Sequence, residues 1–171
     1  MICEENWYII VRTWNRMSFR EVRKVERQIT KTAAAEVLIK GEYGVLSTIG
    51  EDGYAYGVPL SYVYRKETIY LHCALEGHKL DNIKFCEKAS FCVVGDTEIL
   101  PEKFSTKYES VIVFGVVKEV ELAEREEALL GLVEKYSPNY IEKGKAYIRS
   151  GQDKARVIKL CIEHITGKAR K

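Results

Sequence analysis

The residues best suited to chemistry lie between positions 70 and 83, where a predicted strand gives way to a helix. Gly77 allows a tight turn, and His78 and Lys79 begin the helix. The first amides of a helix have no partners within it, and the helix dipole disfavours cations at that end. A bound phosphate would reverse this penalty, because the amides and both side chains could bind it. The pattern therefore indicates either a phosphate site or a solvated helix start without a ligand.

His72 and Cys73 end the strand that leads into this turn. His72 is either a structurally hydrogen-bonded histidine or a residue that faces a substrate. Zinc is not expected, because these two residues and His78 lack compact ligand spacing and no fourth ligand is evident. The sequence also lacks the local motifs of hydrolases, zinc proteases and nucleotide-binding loops. An enzyme built from it would depend on a cofactor for the difficult step.

A second feature is the proline within the strand predicted at residues 54–64. Pro59 cannot donate a ladder hydrogen bond, so it belongs at a sheet edge or a bulge. Gly57 beside it permits close approach to the backbone. The interruption leaves peptide groups free to bind a planar heterocycle, although a simple β-bulge at a barrel corner fits this feature equally well.

The elements that must position these residues are mainly strands. Apolar alternation predicts six of them, at residues 43–49, 54–64, 68–73, 89–95, 111–122 and 156–165, with a loop at 96–108. Helices are predicted at 31–40 after an N-cap at Thr30, and at 77–85, 124–135 and 138–148. Both faces of the 111–122 strand are apolar near its start, so it should be central. Six antiparallel strands in close succession predict a mainly β barrel with peripheral helices. We expect one domain over residues 29–171, preceded by a basic arm over residues 1–28.

Composition narrows the functional class. The 171 residues suit one domain, and the net charge of +2 gives no support to nucleic-acid binding. No apolar run approaches the roughly 20 residues that a membrane span needs, so no membrane association is expected. The five cysteines are odd in number and form no C-x-x-C pair, which predicts free thiols in a cytoplasmic protein.

Six segments together carry a family resemblance: GEYGVLST (41–48), GVPLSY (57–62), EGHKLDNI (76–83), SFCVVG (90–95), YESVIVFG (108–115) and ITGKA (165–169). With them, residues 17–171 resemble the pyridoxamine 5′-phosphate oxidase-like flavin split barrels, and within these the 5-nitroimidazole reductase (Nim) branch. The resemblance implies a homodimeric, six-stranded antiparallel split β-barrel that holds FMN at its two-fold interface.

The resemblance also implies a set of site residues. His78 and Lys79 inherit the phosphate role, and Ser110 falls on a glutamine that contacts FMN. A tyrosine–threonine pair of the oxidases falls on His72 and Cys73. The strand that should run along the isoalloxazine ring falls on Val58, Pro59, Leu60, Ser61, Tyr62 and Val63.

Two of these positions depart from the oxidases, because Val58 and Val63 replace an arginine and a lysine. The loss of both charges argues against a phosphorylated substrate and favours a small neutral acceptor. Arg23 and Arg27 of the arm are candidates to supply the missing charge.

The leading prediction is an FMN-dependent reductase of small nitro-aromatic acceptors, served by an electron donor that the sequence does not specify. His72 is the predicted catalytic residue, facing the substrate as a proton donor. One alternative is a non-catalytic flavin or haem protein, with His72, His78 or His164 as an iron ligand. The others are an oxidase with an altered substrate and a cofactor-free scaffold.

Overall fold

The computed structural model describes residues 19–151 and 155–171. Within them, the helices are α1 (Lys31–Lys40), α2 (His78–Phe85), α3 (Leu122–Tyr136) and α4 (Ile141–Ser150). The strands are β1 (Gly44–Ile49), β2 (Ala55–Leu60), β3 (Tyr62–Arg65), β4 (Thr68–Cys73), β5 (Lys88–Leu100), β6 (Ser105–Glu119) and β7 (Arg156–Arg170). Short 3₁₀ turns occupy Val25–Arg27, Pro101–Lys103 and Pro138–Tyr140. None of these helices combines the length and apolar character needed to cross a membrane.

All seven strands form one antiparallel sheet in the order β2-β1-β5-β6-β7-β4-β3. Its two edge strands, β2 and β3, are consecutive in the chain with only Ser61 between them. In a flat sheet these edges would lie about 29 Å apart at about 4.8 Å per strand, whereas one residue spans about 3.8 Å. The sheet therefore curls until its edges meet. The result is a barrel that is split along the β2–β3 boundary, which confirms the predicted fold class.

The strand count differs from the prediction. Residues 54–64 form two strands rather than one, which gives seven strands instead of six. The pairing partner changes at Ser61, because β2 pairs with β1 whereas β3 pairs with β4. β2 pairs only with β1, so Pro59 lies in an edge strand, where its missing N–H is tolerated.

The predicted loop at residues 96–108 is wrong. β5 and β6 continue through most of it as a two-stranded hairpin, in which Thr97 pairs with Tyr108 and Leu100 pairs with Ser105. A cross-strand ion pair joins Lys107 to Glu98 at 3.0 Å. The hairpin turns through Phe104, which has a left-handed φ of 46° and is 99% exposed. Its charges and Pro101 suggest a loop, but a pairing partner a few residues away is sufficient to hold them in strands.

Two apolar clusters hold the elements together. The first fills the barrel, where Leu46, Phe91 and Val113 are fully buried and α1 contributes Leu38. The second lies outside it, between α3 and the outer face of β3, β4 and β7. As predicted, β6 is central, and Thr30 caps α1 by accepting a hydrogen bond from the amide of Ala33 at 3.2 Å.

The described part of the predicted arm packs along β7. The amide of Ile29 donates to the carbonyl of Gly167 at 3.0 Å, and Gln28 forms a β-bridge with Lys168. Val22 is buried, and Phe19 stacks on His164 with ring centroids 4.4 Å apart. Residues 1–18 of the arm lie outside the described residues.

The end of α3 is attached to the point where β3 begins. The hydroxyl of Tyr136 accepts a hydrogen bond from the amide of Tyr62 at 2.9 Å and lies 2.6 Å from the carbonyl of Glu42, to which it can donate. The Lys135 nitrogen lies 3.7 Å above the Tyr62 ring and is buried without a hydrogen-bond partner in the part of the chain described. Burial lowers the pKa of Lys135 from 10.5 to about 8.

This lysine predicts a pH dependence of stability. Between about pH 8 and pH 10 the unfolded chain keeps the Lys135 proton and the folded chain loses it, so the free energy of unfolding should rise with pH. Urea titrations should show this rise in the wild type relative to Lys135→Met. Lys143→Met removes an exposed lysine of α4 and should behave like the wild type. A wild-type minus Lys135→Met difference that stays flat from pH 7 to pH 10 would contradict the assignment.

Candidate functional site

α2 is fixed against β1 and β2 by buried polar contacts. The side-chain amide of Asn82 donates to the hydroxyl of Thr48 at 3.1 Å, and both residues are buried. At the start of the helix, the His78 ring packs on Tyr56 with centroids 4.1 Å apart. The sequence reasoning missed Asn82, Thr48 and Tyr56. The spacing of His78 and Asn82, four residues apart on one helix face, was the available signal for Asn82.

The turn into α2 has unused hydrogen-bond donors. Gly77 has a φ of 132°, which favours glycine, and its carbonyl accepts from the amides of Leu80 and Asp81. No side chain caps the helix, and the amides of His78 and Lys79 have no acceptor among the described residues. Lys79 is half-buried and forms no ion pair within the same residues. This donor set fits a phosphate group.

The turn lies next to the split in the barrel. Tyr62 pairs with Leu71, so one further step of the same register brings Ser61 opposite His72. Ser61 and His72 are both exposed, whereas Cys73 is buried at the end of β4. The exposed imidazole therefore lies beside the break between the edge strands.

The charged groups around Cys73 affect the pKa of its thiol. Burial raises the pKa of its thiol, while the cations of Lys79 and Arg156 act in the opposite direction and the carboxylate of Glu119 adds to the increase. Arg156 is the residue directly opposite Cys73 in the β4–β7 ladder. Two cations from different elements thus lie near one thiol at this end of the barrel.

The residues predicted to flank the ring differ in whether their side chains are buried or exposed. Val58 and Leu60 pack against the barrel core, and Pro59 and Ser61 are exposed. Tyr62 is fully buried and donates its hydroxyl hydrogen to the carbonyl of Leu38 at 2.6 Å. Val63 belongs to the cluster beneath α3. Among these six residues, the side chains of Pro59 and Ser61 are the accessible ones.

Ser110 lies in β6, which β5 and β1 separate from the edge strand β2. It pairs with Lys168 of β7, whereas Cys73 pairs with Arg156 at the opposite end of that strand. Twelve residue steps separate Lys168 from Arg156, a path of about 40 Å along the strand at about 3.3 Å per residue. Across the sheet the path is shorter, because Pro59, Val45, Cys92 and Ile112 are in register and Ser110 is two residues from Ile112.

The chain belongs to the pyridoxamine 5′-phosphate oxidase family, because the model of that family matches residues 30–169. None of the curated proteins compared with the chain matches it in sequence.

Solved structures share the fold. A candidate 5-nitroimidazole antibiotic resistance protein from Bacteroides thetaiotaomicron is 21% identical with a TM-score of 0.69, over 82% of this chain and 85% of that one. The flavocytochrome Anf3 from Azotobacter vinelandii is 14% identical with a TM-score of 0.76, over 89% and 73%. An FAD and haem binding protein from Mycobacterium smegmatis is 15% identical with a TM-score of 0.69, over 85% and 74%. At these identities the similarity defines the fold.

The Asn82 contact gives a direct test of how α2 is held. Replacing Asn82 with Ala should lower the free energy of unfolding by about 1–3 kcal/mol, because a buried hydrogen bond is lost. Hydrogen exchange should show reduced protection of the α2 amides. Asp81→Ala, at an exposed neighbour, is the matched control and should leave both values near the wild type. Unchanged protection of α2 in Asn82→Ala would refute the role given to this contact.

Proposed function

We propose that the protein is an FMN-dependent reductase that binds FMN between two copies of the chain and reduces small, neutral nitro-aromatic compounds. The observation that carries this proposal is the turn at Gly77–Lys79, where two amides have no acceptor and Lys79 has no ion pair among the described residues, and where His78 packs on Tyr56 of the edge strand β2. Membership of the oxidase family supports a flavin as the group bound there. The resemblance in fold to a candidate nitroimidazole resistance protein supports the choice of acceptor.

The phosphate end of the cofactor would lie at the turn. A phosphate monoester carries a charge of about −1.5 to −2 at neutral pH. The amides of His78 and Lys79 and the ammonium of Lys79 are donors that such a group satisfies. The contacts of Asn82 and Tyr56 hold the start of α2 in place before the ligand arrives, so little ordering is required on binding.

The flavin ring would lie along the split. An edge strand has backbone N–H and C=O groups without ladder partners, and β2 and β3 are the two edges of the sheet. Gly57, Pro59 and Ser61 are exposed and small, so they leave a planar ring room beside that backbone. A Cβ atom at Gly57 would come 3.3 Å from Val45, which a modest side-chain adjustment can accommodate.

His72 would face the acceptor. Its exposed ring lies beside Ser61 by continuation of the β3–β4 register, and histidine exchanges protons readily near neutral pH. Reduced FMN would supply a hydride equivalent, and His72 would donate the further proton needed to convert the nitro group to a nitroso group and water. The positions of the family's arginine and lysine hold Val58 and Val63 here, both directed into apolar clusters. The pocket therefore offers no extra cation there for a phosphorylated substrate.

A reconstitution experiment tests the redox function. The protein should bind added FMN, and the complex, reduced anaerobically, should be reoxidised by 5-nitroimidazoles. His72→Ala and His72→Gln should keep the FMN affinity and lose about 100-fold or more in reoxidation rate, as expected for a missing proton donor. Unchanged turnover in both variants would remove His72 from the mechanism. A protein that binds no flavin would refute the proposal as a whole.

Two observations support a homodimer. The resemblance assigns Ser110 to a position that contacts FMN, and β5 and β1 separate it from the edge strand β2 of its own chain, so we place it at the flavin of a second copy. The outer faces of β5 and β6 also carry exposed apolar side chains, with Val94 58%, Ile112 41% and Phe114 39% exposed. Such a patch is typical of a protein interface. A two-fold pairing of identical faces would cover it and bring Ser110 to the partner's flavin.

A charge placed on this face tests the dimer. Light scattering should show a wild-type dimer and a monomeric Ile112→Glu variant with weakened FMN binding, because a buried unpaired carboxylate is costly. Leu122→Glu is the matched control at a residue 85% exposed on α3, and it should remain dimeric. Dimeric Ile112→Glu with wild-type FMN affinity would contradict the proposed interface.

The compartment is proposed from the thiols. Cys73, Cys86, Cys92 and Cys161 are all free, which suits a reducing environment such as the cytoplasm.

A second candidate function is haem binding without catalysis, and one observation favours it. His164 has a buried Nε2 atom with no hydrogen-bond partner in the described residues, and its ring stacks on Phe19 with the Phe114 ring 6.4 Å away. Iron would satisfy that nitrogen. The visible spectrum of the purified protein separates the two candidates, because a haem band lost in His164→Ala would favour this function over flavin binding.

A further inference from the structure

The proposed phosphate site needs more positive charge than its turn provides. Lys79 is its one permanently charged side chain, and the corresponding arginine position of the family holds Val58, which packs into the barrel core. The sequence offers Arg23 and Arg27 of the arm as substitutes. Gln28 bridges to Lys168, so Arg27 of this chain lies near the end of β7 opposite to the end that faces Cys73.

A different arginine lies at the correct end of the barrel. Arg156 begins β7 and pairs with Cys73, the last residue of β4, four residues before the cap of α2 at Gly77. Directly opposed residues of an antiparallel pair project to the same face of the sheet, so Arg156 and Cys73 share a face. The cations of Arg156 and Lys79 both act to lower the pKa of the Cys73 thiol, against the larger effect of burial.

Arg156 forms an exposed ion pair that a ligand can replace. Its guanidinium pairs with Glu119 at 3.1 Å, and the two side chains are 38% and 61% exposed. Exposed ion pairs of this kind contribute little to stability, so a phosphate can compete for the guanidinium. The planar fork of arginine also suits two hydrogen bonds to one phosphate.

We propose that Arg156 is a phosphate-binding residue of the cofactor site, completing with Lys79 the charge that the turn lacks and exchanging Glu119 for the ligand when FMN binds. This inference rests on the proposed function, because it assumes that FMN occupies the turn at Gly77. It assigns to Arg156 a preference for the phosphorylated flavin over riboflavin.

Titration with FMN and with riboflavin separates the phosphate contact from the ring contacts. In the full chain, Arg156→Gln should raise the Kd for FMN about 10- to 100-fold, as expected for a lost charge-assisted hydrogen bond, and leave the Kd for riboflavin unchanged. Arg156→Lys should recover part of the loss. Arg65→Gln removes the same charge from another exposed ion pair, with Glu134, at the end of β4 opposite to Cys73, and should bind both flavins like the wild type.

Glu119→Gln adds a readout that a merely structural role of Arg156 would not produce. Freed from its carboxylate, the guanidinium should bind FMN about two- to fivefold more tightly, with riboflavin unaffected. Two results would each overturn the assignment of Arg156. One is weaker FMN binding in Glu119→Gln. The other is an unchanged ratio of the FMN Kd to the riboflavin Kd in Arg156→Gln, which includes an equal loss of affinity for both flavins. A wild type that binds neither flavin would overturn the proposed function and this inference with it.

Discussion

A single residue, Ser61, carries the chain from one edge of the sheet to the other. Because β2 and β3 are the two edges and cannot be separated by more than that residue, the seven strands must curl into a barrel. The same constraint leaves the barrel unpaired along one boundary, beside His72 and the start of α2. Closure of the fold and the opening proposed for the cofactor thus have one cause.

The polar contacts around this boundary make it rigid. Tyr136 binds the backbone at the start of β3, and Asn82 ties α2 to β1. The amides of the Gly77 turn and Lys79 belong to the helix that Asn82 holds, and Arg156 pairs with Cys73 on β4. A site made of preorganised donors loses little freedom when it binds an anion, and this is the physical basis on which a flavin nucleotide is proposed as its ligand.

The sequence predicted what local patterns determine. The N-cap at Thr30, the apolar faces of the strand around Val113, and the turn into α2 depend on neighbours within a few residues. The prediction failed where contacts with distant residues determine the structure. At Ser61 the strand breaks because the residues on either side of it pair with two different strands. The hairpin around Phe104 looked like a loop because its charged residues find partners only across the pair. Asn82, Lys135 and Arg156 acquire their roles from residues 34 or more positions away.

The central claim is that two copies of the chain enclose FMN at the split of each barrel. A crystal structure of the reconstituted protein tests it most directly. We expect two-fold-related flavin density, with the phosphate on the amides of His78 and Lys79 and the ring contacting Ser110 of a second copy. Flavin bound within one chain away from the Gly77 turn, or a turn filled by the protein's own side chains in both copies, would contradict the account.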